Sequence, residues 1–280
     1  SITNQAFYSE EELRSSVKML NSLSAELNMM RPSMLETGLI SVAHNLNRRN
    51  SNLRFYEFGK TYSSSGPGKY EEHEHLGFYI TGQSGEDSWK GKAADTDLYY
   101  LKGAVQRTLN LLGWDKVLFT ASASHTKLDY ALEVSVNGKT VAVLGAAKKQ
   151  VLQRFDIKQP VWYADLNWEL ILQLIKKLEV RAVELPRQLP VQRDLALVVP
   201  KATAYEALEK TIRTIRLDKL KDMQLFDVFE SDKLGAGKKS FAVSFTFLDE
   251  EKTLTDKEID GMMNRIMTTM EKELSAEIRK

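Results

Sequence analysis

The sequence contains no cysteine, which excludes disulfides, thiolate zinc sites and cysteine nucleophiles. It also lacks a run of about 18 apolar residues, the length that a membrane-spanning helix needs. The first residues do not show a basic segment followed by an apolar one, so no secretory signal is predicted. Together these absences favour a cytoplasmic protein that does not interact with membranes.

An excess of charge of either sign is also missing. The chain has 39 Lys and Arg residues against 38 Asp and Glu residues, a net charge of +1. This excludes a protein that grips nucleic acid through a strongly basic overall field, but it does not exclude a local basic patch. The composition, 42% hydrophobic and 28% charged, is that of a folded globular protein rather than a disordered chain.

A length of 280 residues corresponds to two domains of ordinary size. The clearest boundary signal is a short segment between Pro186 and Pro190, because each proline favours extended backbone before it. We therefore predict a first domain over residues 1–185 and a second over residues 186–280.

The first domain has the pattern of an α+β fold with a mostly antiparallel sheet. A capping box of Ser9 and Glu12 predicts a helix start, and Asn137-Gly138 between two apolar runs predicts a hairpin with a type I′ turn. The predicted elements are a helix after Ser9 that includes Leu13, Val17 and Leu20, helices over 35–47, 98–112 and 170–178, strands over 53–62, 74–81, 130–136, 139–144 and 162–166, and a loop over 63–69.

The second domain has the order β-α-β-β-α-β, which is the ferredoxin-like split arrangement. Thr203 with Glu206, and Thr255 with Glu258, are predicted capping boxes at the starts of its two helices. The predicted strands cover 193–199, 220–229, 240–248 and 276–280.

Both helices of such a fold cover one face of the sheet, so the other face is open. Alternation over 240–247 directs its phenylalanines to the helices and its small polar residues outward. In the preceding strand, Phe226 and Val228 are the predicted core pair. A flat face of small residues with an exposed aromatic suits base stacking, and the alternative is a face buried against another domain. The residues of this strand that are predicted to face outward are Leu225, Asp227 and Phe229.

Two motifs resemble functional sites but have simpler interpretations. Gly237-Lys238-Lys239-Ser240 does not fit the phosphate-loop pattern, so a hairpin turn that carries lysines is favoured. His73 and His75 share one face of a strand and could chelate a metal, but a solvated, charged strand start is the favoured interpretation. The sequence brings no serine, histidine and aspartate together in a catalytic arrangement.

The most informative segments of the two domains are Leu20-Asn-Ser-Leu-Ser-Ala-Glu26, Met30-Arg-Pro-Ser-Met-Leu35, Asn45-Leu-Asn-Arg-Arg49, Phe55-Tyr-Glu-Phe-Gly59, Leu189-Pro-Val-Gln-Arg-Asp-Leu-Ala-Leu-Val-Val199, Leu225-Phe-Asp-Val-Phe229, Gly237-Lys-Lys-Ser240 and Phe245-Thr-Phe-Leu-Asp249. These segments closely resemble the C-terminal part of bacterial phenylalanyl-tRNA synthetase beta subunits, in the same order along the chain. The resemblance implies a fragment of a longer subunit, with a class II synthetase-like domain followed by a ferredoxin-fold anticodon-binding domain.

The resemblance further implies that the first domain has lost its chemistry. Class II active sites hold ATP with arginines, because phosphate activation needs fixed cations. Here Ser63 and Ser65 stand where Arg and Glu are expected, and the segment 165–169 has neither a glycine run nor an arginine. No cofactor is therefore expected in this fragment, whereas the complete enzyme would use ATP and magnesium. The implied partner is the catalytic alpha subunit in an (αβ)2 heterotetramer, and the candidate interface residues are Arg31, Asn47 and Arg48.

In the second domain the resemblance implies binding to the anticodon region of tRNA-Phe. Phe229 is the candidate for stacking, where the family commonly has tyrosine, and Asp227 and Ser240 are candidates for hydrogen bonds to a guanine edge. Two other functions stay open: a class II ligase that is active by itself, and a subunit-assembly module that makes no direct RNA contact. The candidate phosphate-binding residues are Arg193, Lys238 and Lys239.

Overall fold

The computed structural model describes residues 2–22, 24, 27–114, 116–176, 186–231, 234, 235 and 237–279. The chain divides into two compact units, residues 1–180 and residues 181–280. The domain limits of 1–185 and 186–280 stay a prediction. Among the helices of the described part, none has the length and apolar character that crossing a membrane requires.

The first unit is built on an antiparallel sheet in which the strands 53–66, 69–81, 161–167, 139–147, 128–136 and 118–121 lie side by side in that order, and this confirms the predicted fold class. Its elements are β1 (Ile2–Thr3), α1 (Glu10–Arg14), β2 (Met29–Met30), α2 (Leu35–Leu46), β3 (Leu53–Gly66), β4 (Lys69–Thr81), α3 (Leu98–Leu111), β5 (Leu118–Ala121), β6 (Leu128–Val136), β7 (Lys139–Ala147), α4 (Lys149–Gln153), β8 (Val161–Asn167) and α5 (Trp168–Ile175).

Each face of this sheet buries its own apolar core. Helices α3 and α5 cover one face, and α2 covers the other, where Leu39 packs with Tyr79 and Tyr163. A side chain at Gly38 would collide with the Tyr79 ring, since a Cβ there would lie 2.0 Å from a ring carbon. This close approach lets the Tyr79 hydroxyl donate a 2.7 Å hydrogen bond to the carbonyl of Met34. Because strand residues alternate between faces, Asp165 of β8 shares the face of Tyr163.

Three local predictions for the first unit have clear outcomes. Both hydrogen bonds of the Ser9 capping box are present, but α1 ends at Arg14, so the predicted continuation to Leu20 is wrong. The predicted loop over 63–69 is also too long, because β3 and β4 pair as far as Gly66 and Lys69 and leave a two-residue turn. The hairpin at 137–138 is confirmed by positive φ angles of 50° and 75°. Residues 177 and 178 of the predicted last helix lie outside the described residues.

In the second unit the strands 220–229, 238–247, 191–200 and 277–279 lie side by side in that order, which confirms the ferredoxin-like prediction. Both hydrogen bonds of the Thr255 capping box are present, so this helix start is confirmed. The predicted box at Thr203 is wrong, because the helix begins one residue later, after Ala204, which has no side-chain oxygen to cap it. The elements are β9 (Val191–Pro200), α6 (Tyr205–Thr214), β10 (Leu220–Phe229), β11 (Lys238–Phe247), α7 (Asp256–Leu274) and β12 (Glu277–Arg279).

Candidate nucleic-acid interface

A one-residue β-bulge decides which side chains of β10 reach the open face of the second unit. Leu225 pairs with Val243 of β11, and the next pair is Asp227 with Ala242, so Phe226 has no partner in the ladder. Val243 is fully buried, and Leu225 packs on the same core. After the extra residue the alternation resumes one position later, and Asp227 comes to lie on the open face.

The bulge corrects part of the predicted side-chain pattern. Leu225 was expected to face outward, but it faces the core. Phe226 was expected in the core, but it is 55% exposed. Val228 keeps its predicted side of the sheet, opposite the buried Phe241, although it is 47% exposed. A strand read with uninterrupted alternation cannot place both Leu225 inside and Asp227 outside, and the extra residue resolves this conflict.

The candidate RNA-contacting residues lie at one end of the open face. Phe229 pairs directly with Ser240 and is 46% exposed, and Asp227 lies two pairs further along, opposite Ala242. Within the described part of the chain, no hydrogen bond or ion pair engages the Asp227 carboxylate. Ser240 is only 5% exposed, because Phe229 and Val198 flank it in the register on either side. It therefore has little surface left for a hydrogen bond to RNA.

The structure does not bring the three predicted phosphate-binding cations together. Lys238 lies on the open face, where its ammonium group contacts Glu277 across β9. Lys239, the next residue of β11, faces the other side of the sheet, and its Nζ lies 4.9 Å from the centre of the Phe241 ring. Arg193 pairs with Phe245 at the far end of the sheet, and its guanidinium contacts Asp256 at 2.8 Å. Only Lys238 of the three borders the candidate site.

The first unit contains a cavity of about 380 Å³ on the sheet face that carries Asp165. Here the fold assembles a hydrogen-bonded chain that the sequence did not reveal. Thr61 Oγ1 lies 2.9 Å from His75 Nε2, and His75 Nδ1 lies 2.6 Å from Asp165 Oδ1. The Tyr163 hydroxyl donates to the other carboxylate oxygen at 3.1 Å. Thr61 and His75 lie on one hairpin, but β8, which supplies Tyr163 and Asp165, is about 90 residues further along the chain, so no local spacing signal joins the set.

This series of hydrogen bonds resembles a nucleophile–histidine–carboxylate arrangement, but it lacks the features of an active site. Thr61 is buried and is not part of the cavity lining. His75 and Asp165 are both occupied by neighbours within the unit. The arrangement therefore serves as a structural link between β3, β4 and β8.

The charged groups around the cavity are also paired. Lys127 contacts both Glu12 and Glu36, and Glu36 is 1% exposed. Burial opposes ionisation of Glu12, but hydrogen bonds from Lys127 and Ser9 outweigh it and lower the pKa of this carboxyl. Burial, with Lys148 and Lys127 nearby, lowers the pKa of His125, whose Nδ1 accepts backbone N–H hydrogen bonds from Lys127 and Leu128. The charged groups of the cavity are thus engaged within the unit, and carboxylates outnumber its one lysine among the described lining residues.

The three candidate interface residues occupy different environments. Arg31 is 2% exposed, with its guanidinium 2.7 Å from Glu57 and hydrogen-bonded to the carbonyl of Lys60. This burial does not fit the predicted subunit contact and makes Arg31 a support for β3. Asn47 and Arg48 are both exposed at the C-terminal end of α2, where they are accessible to a partner.

The two strand histidines do not form a metal site. The His73 ring lies 3.5 Å from Glu169, while His75 is engaged with Asp165. Over the described ranges, no group of three or more histidine, aspartate or glutamate side chains could hold a metal ion.

Two family models match the chain, one for each unit. Residues 2–168 match the phenylalanyl-tRNA synthetase beta chain CLM domain, and residues 186–279 match the ferredoxin-fold anticodon-binding domain. The first match alone covers more than half of the chain, and the chain belongs to the phenylalanyl-tRNA synthetase beta chain family.

The chain spans about a third of the length of the curated relatives it matches. It is 39% identical to the phenylalanine–tRNA ligase beta subunit of Bacteroides fragilis, with 100% of this chain and 36% of that protein covered. It is 31% identical to the beta subunit of Carboxydothermus hydrogenoformans, with 96% and 34% covered. A solved pyrrolysyl-tRNA synthetase of Desulfitobacterium hafniense is similar at 16% identity and a TM-score of 0.48, over 62% of this chain and 58% of that one.

Proposed function

We propose that this chain is the C-terminal part of a phenylalanine–tRNA ligase beta subunit. In this role it scaffolds the catalytic alpha subunit and binds the anticodon region of tRNA-Phe during ATP-dependent aminoacylation. The observation that carries the proposal is the pair of exposed side chains, Asp227 and Phe229, on the open sheet face of a unit that matches an anticodon-binding family.

The chemistry of this face suits an unpaired base. The Phe229 ring offers an apolar surface on which a base can stack, and such stacking does not require a strongly basic protein. The Asp227 carboxylate accepts hydrogen bonds only, so it complements the N1–H and N2–H₂ donors of a guanine edge. Lys238 borders the face and can approach a phosphate, although Glu277 offsets its charge.

The first unit does not fit ATP. Among the described residues that line its cavity, Lys127 is the only lysine or arginine, and two carboxylates already neutralise it. Activation of an ATP phosphate requires cations directed at the developing charge. We therefore assign ATP and magnesium to the complete enzyme, in which the alpha subunit would activate phenylalanine.

The edge strand β3 is the surface we propose for the alpha subunit. Tyr62 and Ser64 donate their outer backbone N–H groups to Arg31 and Ser15, but the alternate positions 54–58 have no such partner in the described part of the chain. Tyr56 and Phe58 expose their rings beside this free edge. An exposed apolar edge strand is a template for pairing with another chain. We further propose that this chain and the alpha subunit form an (αβ)2 heterotetramer, and that the heterotetramer is cytoplasmic.

The test uses the complete enzyme, with this chain extended to the length of its relatives and paired with the alpha subunit. Asp227→Ala and Phe229→Ala should each lower kcat/KM for tRNA-Phe by about tenfold, and ATP–pyrophosphate exchange should stay unchanged because it does not require the anticodon. Unchanged aminoacylation of tRNA-Phe by both variants would show that this face is not the anticodon site.

The alternative is a subunit-assembly module without RNA contact, and the exposed apolar ring of Phe229 on the open face favours it. Binding of an anticodon stem-loop to the 280-residue chain separates the two functions. Binding that weakens in Phe229→Ala supports the RNA role, whereas an absence of binding supports assembly. ATP–pyrophosphate exchange by this chain alone would instead indicate an independent ligase.

A further inference from the structure

The β-bulge in β10 leaves one large aromatic side chain without a structural role. Phe226 pairs with no residue of β11, and it is 55% exposed. The core cluster of the described second unit takes Leu220, Met223 and Leu225 from this strand, but not Phe226. Bulges are over-represented beside functional sites because they redirect a side chain. A phenylalanine exposed in this way breaks the local pattern of the strand, and such breaks concentrate at functional sites.

The position of Phe226 connects it to the candidate RNA site. It directly precedes Asp227 and stands three residues before Phe229, which is also exposed. A strand rise of about 3.3 Å per residue separates the Cα atoms of the two phenylalanines by roughly 10 Å. Stacked aromatic rings have centroids about 4.5–7 Å apart, so the two rings suit different bases.

We propose that Phe226 is a second stacking residue, so that this end of the sheet holds two unpaired bases of an RNA loop, one on Phe226 and one on Phe229. The inference rests on the proposed function, since it assumes that this face binds RNA. It predicts that recognition depends on two loop positions rather than one, with the Asp227 carboxylate between them.

The Asp227 carboxylate favours RNA over a protein as the occupant. It is exposed, and no described side chain pairs with it. An apolar protein surface that covered this face would bury the carboxylate without compensation, which is strongly unfavourable. The base edges of an unpaired loop carry N–H donors that satisfy the carboxylate while their faces stack on the two rings.

The experiment uses the 280-residue chain and the anticodon stem-loop of tRNA-Phe, with 2-aminopurine placed at one loop position in each RNA. Fluorescence anisotropy gives Kd at a fixed salt concentration, and the 2-aminopurine emission reports stacking at that position. Phe226→Ala should weaken binding by about fivefold or more. Phe226→Leu should also weaken it, because it keeps apolar volume without an aromatic face, and Phe226→Tyr should bind as the wild type does.

The 2-aminopurine emission distinguishes the two proposed stacking residues, Phe226 and Phe229. Phe226→Ala should abolish the 2-aminopurine response at one loop position, and Phe229→Ala should abolish it at a different one. Thermal unfolding followed by circular dichroism checks that the variants are folded. If Phe226→Ala is not folded, the comparison of Phe226→Leu with Phe226→Tyr tests whether RNA binding needs the aromatic ring.

Three results would overturn the inference. If Phe229→Ala weakens binding while Phe226→Ala and Phe226→Leu bind within twofold of the wild type, the second stacking residue is refuted and the proposed function stands. If both alanine variants abolish the response at the same loop position, there is only one stacking site. If the wild-type chain does not bind the stem-loop, the proposed RNA role and this inference both fail.

Discussion

The cavity of the first unit and the open face of the second unit differ in how their charged groups are paired. In the cavity, Lys127 contacts two carboxylates, and Asp165 accepts hydrogen bonds from His75 and Tyr163. On the open face, the Asp227 carboxylate has no partner in the described part of the chain. Groups that are already paired hold a fold together, whereas an exposed group without a partner is available to a ligand. The comparison points to the second unit as the recognition surface.

The second unit repeats this contrast between the two faces of one sheet. Phe245 is fully buried against the helices, while Phe229 is 46% exposed on the opposite face. The same residue type therefore serves packing in one position and is available for recognition in the other. Substitutions that change stability at one position and RNA binding at the other test this difference.

The largest effect is expected from Lys127→Met in the cavity. It leaves Glu36, 1% exposed, without its counter-charge, and the loss of one partner of a buried ion pair destabilises a protein by about 3–5 kcal/mol. Urea unfolding of the 280-residue chain, followed by circular dichroism, measures the change. Anticodon stem-loop binding by the folded fraction should be unaffected.

Two variants serve as controls for that prediction. Lys149→Met removes an exposed lysine from the same unit and should leave the free energy of unfolding nearly unchanged. The double variant Lys127→Met with Glu36→Gln removes both charges and should recover part of the stability. A Lys127→Met chain as stable as the wild type would show that the cavity charges are not coupled as described.

Phe245→Ala and Phe229→Ala form a matched pair on opposite faces of the sheet. Phe245→Ala should destabilise the second unit by about 3–5 kcal/mol, because it creates a cavity in the core. Phe229→Ala should cost less than about 1 kcal/mol and instead weaken stem-loop binding. Denaturant titrations and binding isotherms of both variants decide the point. Similar losses of stability would contradict the assignment of Phe229 to an open face.

A smaller effect is expected at the start of α7. Thr255→Ala removes the capping hydrogen bond to Glu258 and should destabilise the second unit by about 1 kcal/mol. Hydrogen bonds from Lys252 and Thr255 lower the pKa of Glu258 to about 2, from an ordinary value of 4.5. A lowered folded-state pKa contributes stability that is present above pH 4.5 and is lost as the pH falls towards about 2.

Removing the charge of Glu258 tests whether this carboxyl causes the loss of stability in acid. Glu258→Gln should flatten the decline in stability of the second unit between pH 4.5 and about 2, measured by thermal unfolding at a series of pH values. A decline identical to that of the wild type would assign the acid sensitivity to other carboxyls.

The smallest effect is expected from Glu277→Gln at the border of the open face. It frees Lys238 from its carboxylate partner and should tighten stem-loop binding by about two- to fivefold at low salt. The slope of log K against log salt should steepen by about 0.7, as expected for one additional phosphate contact. Glu273→Gln, an exposed site on α7, is the matched control. Unchanged binding in Glu277→Gln would remove Lys238 from the RNA contacts.

Short sequence patterns were sufficient to predict the structure where neighbouring residues determine it. The Thr255 capping box, the turn at 137–138 and the bounds of β10 are all predicted by such patterns. The bulge at Phe226 could not be predicted in this way, because it depends on how β10 pairs with β11. The sequence of β10 alone indicates only a strand with alternating sides. The contact of His75 with Asp165 joins residues 90 positions apart, so it exists only after the sheet has formed. The burial of Arg31 likewise depends on β3.

The most direct test of the account is a map of the surface that RNA perturbs on the 280-residue chain. Isotopically labelled chain is titrated with the anticodon stem-loop of tRNA-Phe, and NMR chemical-shift changes are recorded for each assigned residue. The largest changes are expected at 226–229 and 240–242, and cavity residues such as Lys127 and Asp165 should be unchanged. Changes centred on the cavity, or on the helix-covered face around Phe245, would contradict the proposed RNA site.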